Sequence, residues 1–178
     1  MTEHEYSRRK VLLDTCIQWY RENPESAQMV ANILLRKATG TSQRVISLRL
    51  IEFFLHTFVR QHAGEEFGEL NGHEITYSYQ KSTKSFGKGN FDLFCRNEKA
   101  RFQIGDIEIM SNGSQLEFFR WAISTGVLEI IENNITRIIA EKQKFNQNQN
   151  QNPNPRRKQD NPKPHQKRPF RDERRSLM

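Results

Sequence analysis

Two cysteines in 178 residues are too few for a disulfide scaffold, and Cys16 and Cys95 stand too far apart for a Cys-x-x-Cys metal or redox pair. They read as buried, reduced thiols of a cytosolic or nuclear protein. Long apolar runs are also missing. Nothing approaches the roughly 20 residues of a membrane span, and the opening Met-Thr-Glu-His-Glu carries no apolar signal region. The expectation is a soluble intracellular chain, in cytoplasm or nucleus, with no membrane partner. Hydrophobic residues reach only 35%, against roughly 45–50% in compact domains, a figure that also counts glycine. The shortage is local. From Phe145 onward the only large apolar residues are Phe145, Phe170, Leu177 and Met178, too few to offset the entropy of ordering that stretch.

Catalytic and metal-binding patterns are equally scarce. His4, His56, His62, His73 and His165 share no ligand spacing with one another or with a cysteine. His56 and His62, on one expected helix, do not share a face. The run Lys84-Ser-Phe-Gly-Lys-Gly89 lacks the Gly-x-x-x-x-Gly-Lys-Ser/Thr spacing of a phosphate loop. Glu65-Glu66 and Asp106/Glu108 read as solvated acids rather than as a general acid and base. The expectation is a protein that is not an enzyme and uses no metal and no cofactor.

What is present is charge, unevenly placed. Residues 1–140 hold 17 Lys/Arg and 17 Asp/Glu, whereas residues 141–178 hold 11 Lys/Arg and 4 Asp/Glu, so the whole formal charge of +7 lies in the last segment. A pI near 9.6 therefore describes an arm and not a domain. Such an arm makes flexible, salt-sensitive contacts with polyanions.

Apolar spacing lays out the rest. Val11, Leu12, Thr15, Cys16, Trp19 and Tyr20 recur at helical spacing over residues 6–22. Asn23-Pro24 stops that helix and starts a second, which runs to about Lys37 with Ala27, Val30, Ala31, Leu34 and Leu35 inward. Thr41-Ser42 caps a third over residues 43–62, apolar on most faces and so central to a core. Asn71-Gly72 reads as a turn, and residues 74–79 as a strand with Ile75, Tyr77 and Tyr79 on one face. Residues 81–90 read as an exposed polar loop. Residues 101–104 and 106–110 form a strand pair, or one strand broken at Gly105. Ser111-Asn-Gly-Ser114 opens a helix that Gly126 breaks, and a final helix covers residues 127–144. The fold class is α+β: a helical N-terminal half, a small antiparallel β element in the middle, C-terminal helices and a disordered basic tail. One globular domain is expected over residues 1–144, and a disordered Asn/Gln/Pro-rich tail over 145–178.

Residues 77–102 interleave Lys81, Lys84, Lys88, Arg96, Lys99 and Arg101 with Tyr77, Tyr79, Phe86, Phe91, Phe94 and Phe102. Single-stranded nucleic acid is often held this way, bases on rings and phosphates on cations. The competing reading makes Phe91, Phe94 and Phe102 core residues and leaves Lys81, Lys84 and Lys88, on the exposed loop, as the candidate contacts. In the tail, Arg156, Arg157, Lys158, Lys163, Lys167, Arg168, Arg171, Arg174 and Arg175 form spaced clusters. They fit a phosphate backbone of DNA or RNA, or a solubilising or nuclear-targeting segment. Trp121 with Phe118 and Phe119 reads as core or as a partner surface. The stripe Ile131, Ile135 and Ile138 could support a homo-oligomer or a protein partner.

Three stretches resemble a family of small proteins encoded by large nucleocytoplasmic DNA viruses. They are Ile-Ser-Leu-Arg-Leu-Ile-Glu-Phe-Phe at 46–54, Ser-Phe-Gly-Lys-Gly-Asn-Phe-Asp-Leu-Phe-Cys-Arg at 85–96, and Gly-Ser-Gln-Leu-Glu-Phe-Phe-Arg-Trp-Ala-Ile at 113–123. The family's run is Phe-Asp-Pro-Phe-Cys-Arg, and Leu93 stands where the proline is expected. The resemblance covers about residues 45–135 and brings no assigned activity. It implies a viral setting and, for a basic-tailed protein, genome condensation or virion assembly. Together these readings give a non-enzymatic nucleic-acid-associated protein, a viral core or nucleoprotein component, with a scaffolding virion protein acting through protein contacts as the alternative.

Overall fold

Proline has no amide hydrogen to continue a preceding helix but suits the first position of a new one, and the chain turns where Pro24 stands. The computed structural model describes residues 3–39, 44–87, 89–94, 96 and 98–151. Helix α1 (Glu3–Glu22) ends before Pro24, which opens α2 (Pro24–Leu34). Asn23 does not cap α2 through its side chain; its amide instead donates to the Trp19 carbonyl at 2.8 Å, closing α1. Cys16 and Tyr20 turn inward, whereas Val11 is exposed. Helix α2 stops three residues short of Lys37, because Arg36 enters the left-handed region at φ 55° and the Lys37 amide folds back to the Asn32 carbonyl. Leu35 is consequently exposed rather than inward.

Helix α3 begins at Leu48, with Ser47 accepting from the Leu50 amide. It runs through Leu48–Phe53, a π-helical segment Phe54–Phe58 and a last turn Val59–Gln61. The expected Thr41-Ser42 cap and Gln43 lie outside the described residues. Leu50, Ile51, Phe53, Phe54, Leu55, Phe58 and Val59 are all buried, as a helix apolar on most sides requires. Truncating Phe54 or Phe58 to alanine would cost about 3–5 kcal/mol.

The expected strand at 74–79 is a helix. Asn71 accepts from the Glu74 amide at 3.0 Å, and the Glu74 carboxylate accepts from the Asn71 amide at 2.8 Å. This reciprocal capping box starts α4 (Gly72–Phe86). The alternation of Ile75, Tyr77 and Tyr79 is incidental. On a helix Ile75 and Tyr79 share the inner face at i,i+4, and Tyr77 points out at 67% exposure. The loop expected over 81–90 is correspondingly shorter, since Lys81 to Phe86 belong to α4. Just before it, β1 (Glu66–Phe67) pairs antiparallel with β2 (Leu70–Asn71) in a minimal hairpin.

The central β element is a true hairpin. Strand β3 (Ala100–Ile104) pairs antiparallel with β4 (Ile107–Ser111), Phe102 opposite Ile109, and Gly105 turns at φ 58°. It lies against α2. Asn112 caps α5 (Gly113–Ser124) by accepting from the Gln115 amide, and the buried Tyr20 hydroxyl donates to the Leu116 carbonyl at 2.8 Å, tying α1 to α5. Trp121, Phe118 and Phe119 are core residues, packed around Phe91 and Tyr79. Gly126, left-handed at φ 73°, separates α5 from α6 (Val127–Asn133).

The single final helix is in fact two. Asn134 breaks it, its side-chain amide donating to the Ile130 carbonyl, and α7 (Ile135–Gln151) follows. Ile131, Ile135 and Ile138 are buried against the chain's own core, so the stripe expected to support self-association is already covered. Helix α7 packs on α3 as far as Phe145, whose ring lies 5.7 Å from that of Phe53, and its backbone continues to Gln151, beyond the expected end at residue 144 and through all but the last residue of the Asn/Gln run. The architecture is α+β, helices at both ends and two small antiparallel hairpins between.

Candidate nucleic-acid interface

An aspartate followed by turn residues folds its own backbone around its carboxylate. Asp92 does this: its two oxygens accept from the Phe94 and Arg96 amides, each at 3.2 Å. Helix α5 holds the same loop from behind. The Asp92 amide donates to the Ser114 carbonyl, the Ser114 hydroxyl to the Gly89 carbonyl at 2.7 Å, and the buried Gln115 amide to the Leu93 carbonyl at 2.6 Å. Phe91 and Leu93 are thereby sunk into the core and Phe94 is left half-buried.

Two arginines gather on that ring. The Arg49 guanidinium, from α3, lies 4.5 Å from the Phe94 centroid, and that of Arg96 lies 5.8 Å away, both within cation–π range. Each has a carboxylate beside it: Glu52 at 2.8 Å from Arg49, and Asp92 at 3.8 Å from Arg96. The arginine side chains are 71% and 75% exposed, the acids 36% and 15%. An approaching ligand therefore meets the cations first.

The patch forms the lip of a groove along α3. Glu52 and His56 form part of a shallow cleft of about 490 Å³, walled by Lys142 and Phe145 of α7. On their other side they line a crevice of about 70 Å³ bounded by Tyr79, Asp92 and Arg96. Lys142 fixes the α7 wall by donating to the Arg49 carbonyl at 2.7 Å. Burial, with Arg60 assisting, lowers the His56 pKa, so its ring stays neutral to a lower pH. That ring stands edge-on to Tyr79 at 5.4 Å. Burial raises the Tyr79 hydroxyl pKa, and Asp92 adds to the effect.

Lys81 and Lys84 are exposed on α4, one and two turns on from the exposed Tyr77, so the structure brings those three onto one helix face. Lys88 lies outside the described residues. So do Cys95 and the tail residues Arg156, Arg157, Lys158, Lys163, Lys167, Arg168, Arg171, Arg174 and Arg175. Arg101, on β3, is paired with Glu108 across the hairpin. Arg49 and Lys142 escaped the sequence reading, which weighed His56 only as a metal ligand. The available signal was that Arg49 and Glu52 lie in the first family-like stretch and Asp92 and Arg96 in the second, so the two stretches meet in space.

A second charged cluster joins the segment just after α3 to α7. Arg137 binds both oxygens of Glu65, its Nε lies 3.2 Å from Glu141, and His62 contacts Glu141 at 2.8 Å. Glu65 is thus an ion-pair partner while remaining partly solvated, its side chain 38% exposed. Arg137 occupies the space between the two carboxylates, and among the described residues no group of three or more His, Cys, Asp or Glu is arranged so that it could hold a metal ion. Among those residues, too, no helix is long and apolar enough to cross a membrane.

Over residues 8–174 the sequence matches a family of unknown function, DUF7197. The chain belongs to this family. It is also similar to "Uncharacterized protein L507" of Acanthamoeba polyphaga mimivirus, at 26% identity over 121 residues, covering 62% of this chain and 46% of that protein. The chain thus spans a little under half the length of the curated relative it matches. No solved structure matches. The DUF7197 match is wider than the 45–135 expected from the three stretches, taking in most of α1, all of α2 and most of the tail that the expected span left out, and the viral relative agrees with the setting they implied.

Proposed function

We propose that this chain is a non-enzymatic, nucleic-acid-associated protein, a viral core or nucleoprotein component, that meets phosphate backbones through both its folded domain and its basic arm. The observation that carries the reading is the pair of exposed guanidiniums of Arg49 and Arg96, gathered on Phe94 at the lip of the α3 groove. Arginine beside an aromatic ring suits phosphate and base together, offering a fork of donors and a stacking plane. The basic arm supports it, since nine Lys/Arg follow residue 155. The groove positions a bound strand, and the arm adds affinity with little sequence preference. The scaffolding alternative loses the surface expected to serve it, because Ile131, Ile135 and Ile138 are buried.

The test is a salt titration of binding to DNA and RNA oligonucleotides, comparing the full chain with one whose nine tail cations are glutamine. Removing one cation–phosphate pairing lowers the slope of log affinity against log salt by about 0.7–0.9. A large fall in slope supports the reading. An unchanged affinity and slope removes the arm from it.

A further inference from the structure

The Arg49 guanidinium carbon lies 4.5 Å from the Phe94 ring centroid, and the side chain is 71% exposed. We infer that this exposed guanidinium is a stacking platform for an unpaired base, making the α3 groove a site for single-stranded rather than duplex nucleic acid. The inference rests on the nucleic-acid reading above and names the form of polyanion that this site selects.

Recess comes first. His56 and Tyr79 line the small crevice between α3, α4 and the loop that holds Asp92, with the half-buried Phe94 ring among its walls. A duplex hides its base faces in its own stack and presents a convex backbone, so it could reach only the exposed arginines at the lip. A single strand can turn a base outward and set it on a ring or a guanidinium plane. Arg49 is the group placed to receive it, 71% exposed and oriented by Glu52 at 2.8 Å. Arg96, 75% exposed on the same ring, is placed for the adjoining phosphate. Asp92 does not block this, being only 15% exposed and engaged with two backbone amides.

The discriminating substitution is Arg49→Lys in the full chain. Lysine keeps the charge and removes the plane. Because the Arg49 side chain is exposed and Lys142 binds only its carbonyl, the fold should tolerate the change, and an unchanged thermal midpoint checks that. The probes are a mixed-sequence 12-nucleotide DNA, its RNA counterpart and the DNA duplex, with 2-aminopurine in the single strands to report stacking. Expected is a loss of single-strand affinity of about 5- to 100-fold, a loss of the stacking signal, and duplex affinity within about two-fold of the parent. Equal single-strand affinity for parent and Arg49→Lys overturns the inference, as does an equal loss on strand and duplex. If the parent binds neither form even at low salt, the nucleic-acid reading itself falls. If neutralising the tail abolishes binding while Arg49→Lys changes nothing, that reading survives and the groove inference does not.

Discussion

Arg137 on α7 grips the carboxylate of Glu65, a residue 72 positions earlier in the chain, with both terminal nitrogens of its guanidinium. His62 and Glu141 complete the clamp, and the guanidinium also lies 5.2 Å from the Phe58 ring. The helix that leads out to the basic arm is thereby fastened to the central helix of the core.

This fastening makes stability depend on acid. Hydrogen bonds from Arg137 hold the Glu65 carboxyl below its ordinary value. For Glu141, burial acts the other way, and bonds from His62 and Arg137 outweigh it. Carboxyls lowered in the folded state give stability that is complete above their unfolded value, near 4.3, and is lost as pH falls through the lower folded values. The urea midpoint should decline below about pH 4.3. Arg137→Gln should lower the midpoint at neutral pH and flatten that decline. An Arg137→Gln protein with the parent's full acid dependence would refute the assignment.

The Asn71-Gly72 pair should be unusually sensitive. Asn71→Ala removes one arm of the capping box and should cost about 1 kcal/mol. Gly72→Ala should cost more, about 2 kcal/mol, because a Cβ there would come within 2.7 Å of the His62 and Val59 carbonyl oxygens and 2.8 Å of the Ala63 Cα. Chemical denaturation of both variants checks the order. A milder effect for Gly72→Ala would mean that the junction is looser than the structure shows.

Those same two residues show where sequence reading ended. Asn-Gly commonly marks a tight turn, and Ile75, Tyr77 and Tyr79 alternate as a strand does. What decided for a helix was Glu74, three residues after Asn71, whose capping role depends on a backbone geometry that a period-two pattern does not display. The helices α1, α2, α3 and α5 were legible because their apolar residues repeat at helical spacing and because Pro24 and Gly126 punctuate them. The hairpin was legible from Gly105, which marks its turn between two short apolar runs. The groove was not. Arg49, Phe94 and Lys142 come from three separate parts of the chain, and only packing brings them together.

Cys16 should be inert in the folded protein. Burial raises its thiol pKa strongly, and the neighbouring Glu117 raises it further. In a Cys95→Ser background, a disulfide reagent at mildly alkaline pH should label nothing until denaturant is added. Rapid labelling of the native protein would show that α1 opens locally from α5.

Lys81 and Lys84 share an exposed face of α4 with Tyr77. In a chain whose tail cations are already neutral, Lys81→Glu with Lys84→Glu should weaken nucleic-acid binding several-fold, since each phosphate contact carries part of the salt-dependent affinity. Unchanged binding would confine the folded contact to the α3 groove.

Whether arm and groove both meet phosphate is the central question. Oligonucleotide affinity measured against salt for four chains decides it: the parent, the tail-neutral form, Arg49→Gln with Arg96→Gln, and the combination. Both partial variants should show lower affinity and a shallower salt slope, and the combination should bind only marginally at low salt. Four indistinguishable titrations, or a parent that does not bind at all, would contradict a two-site phosphate contact.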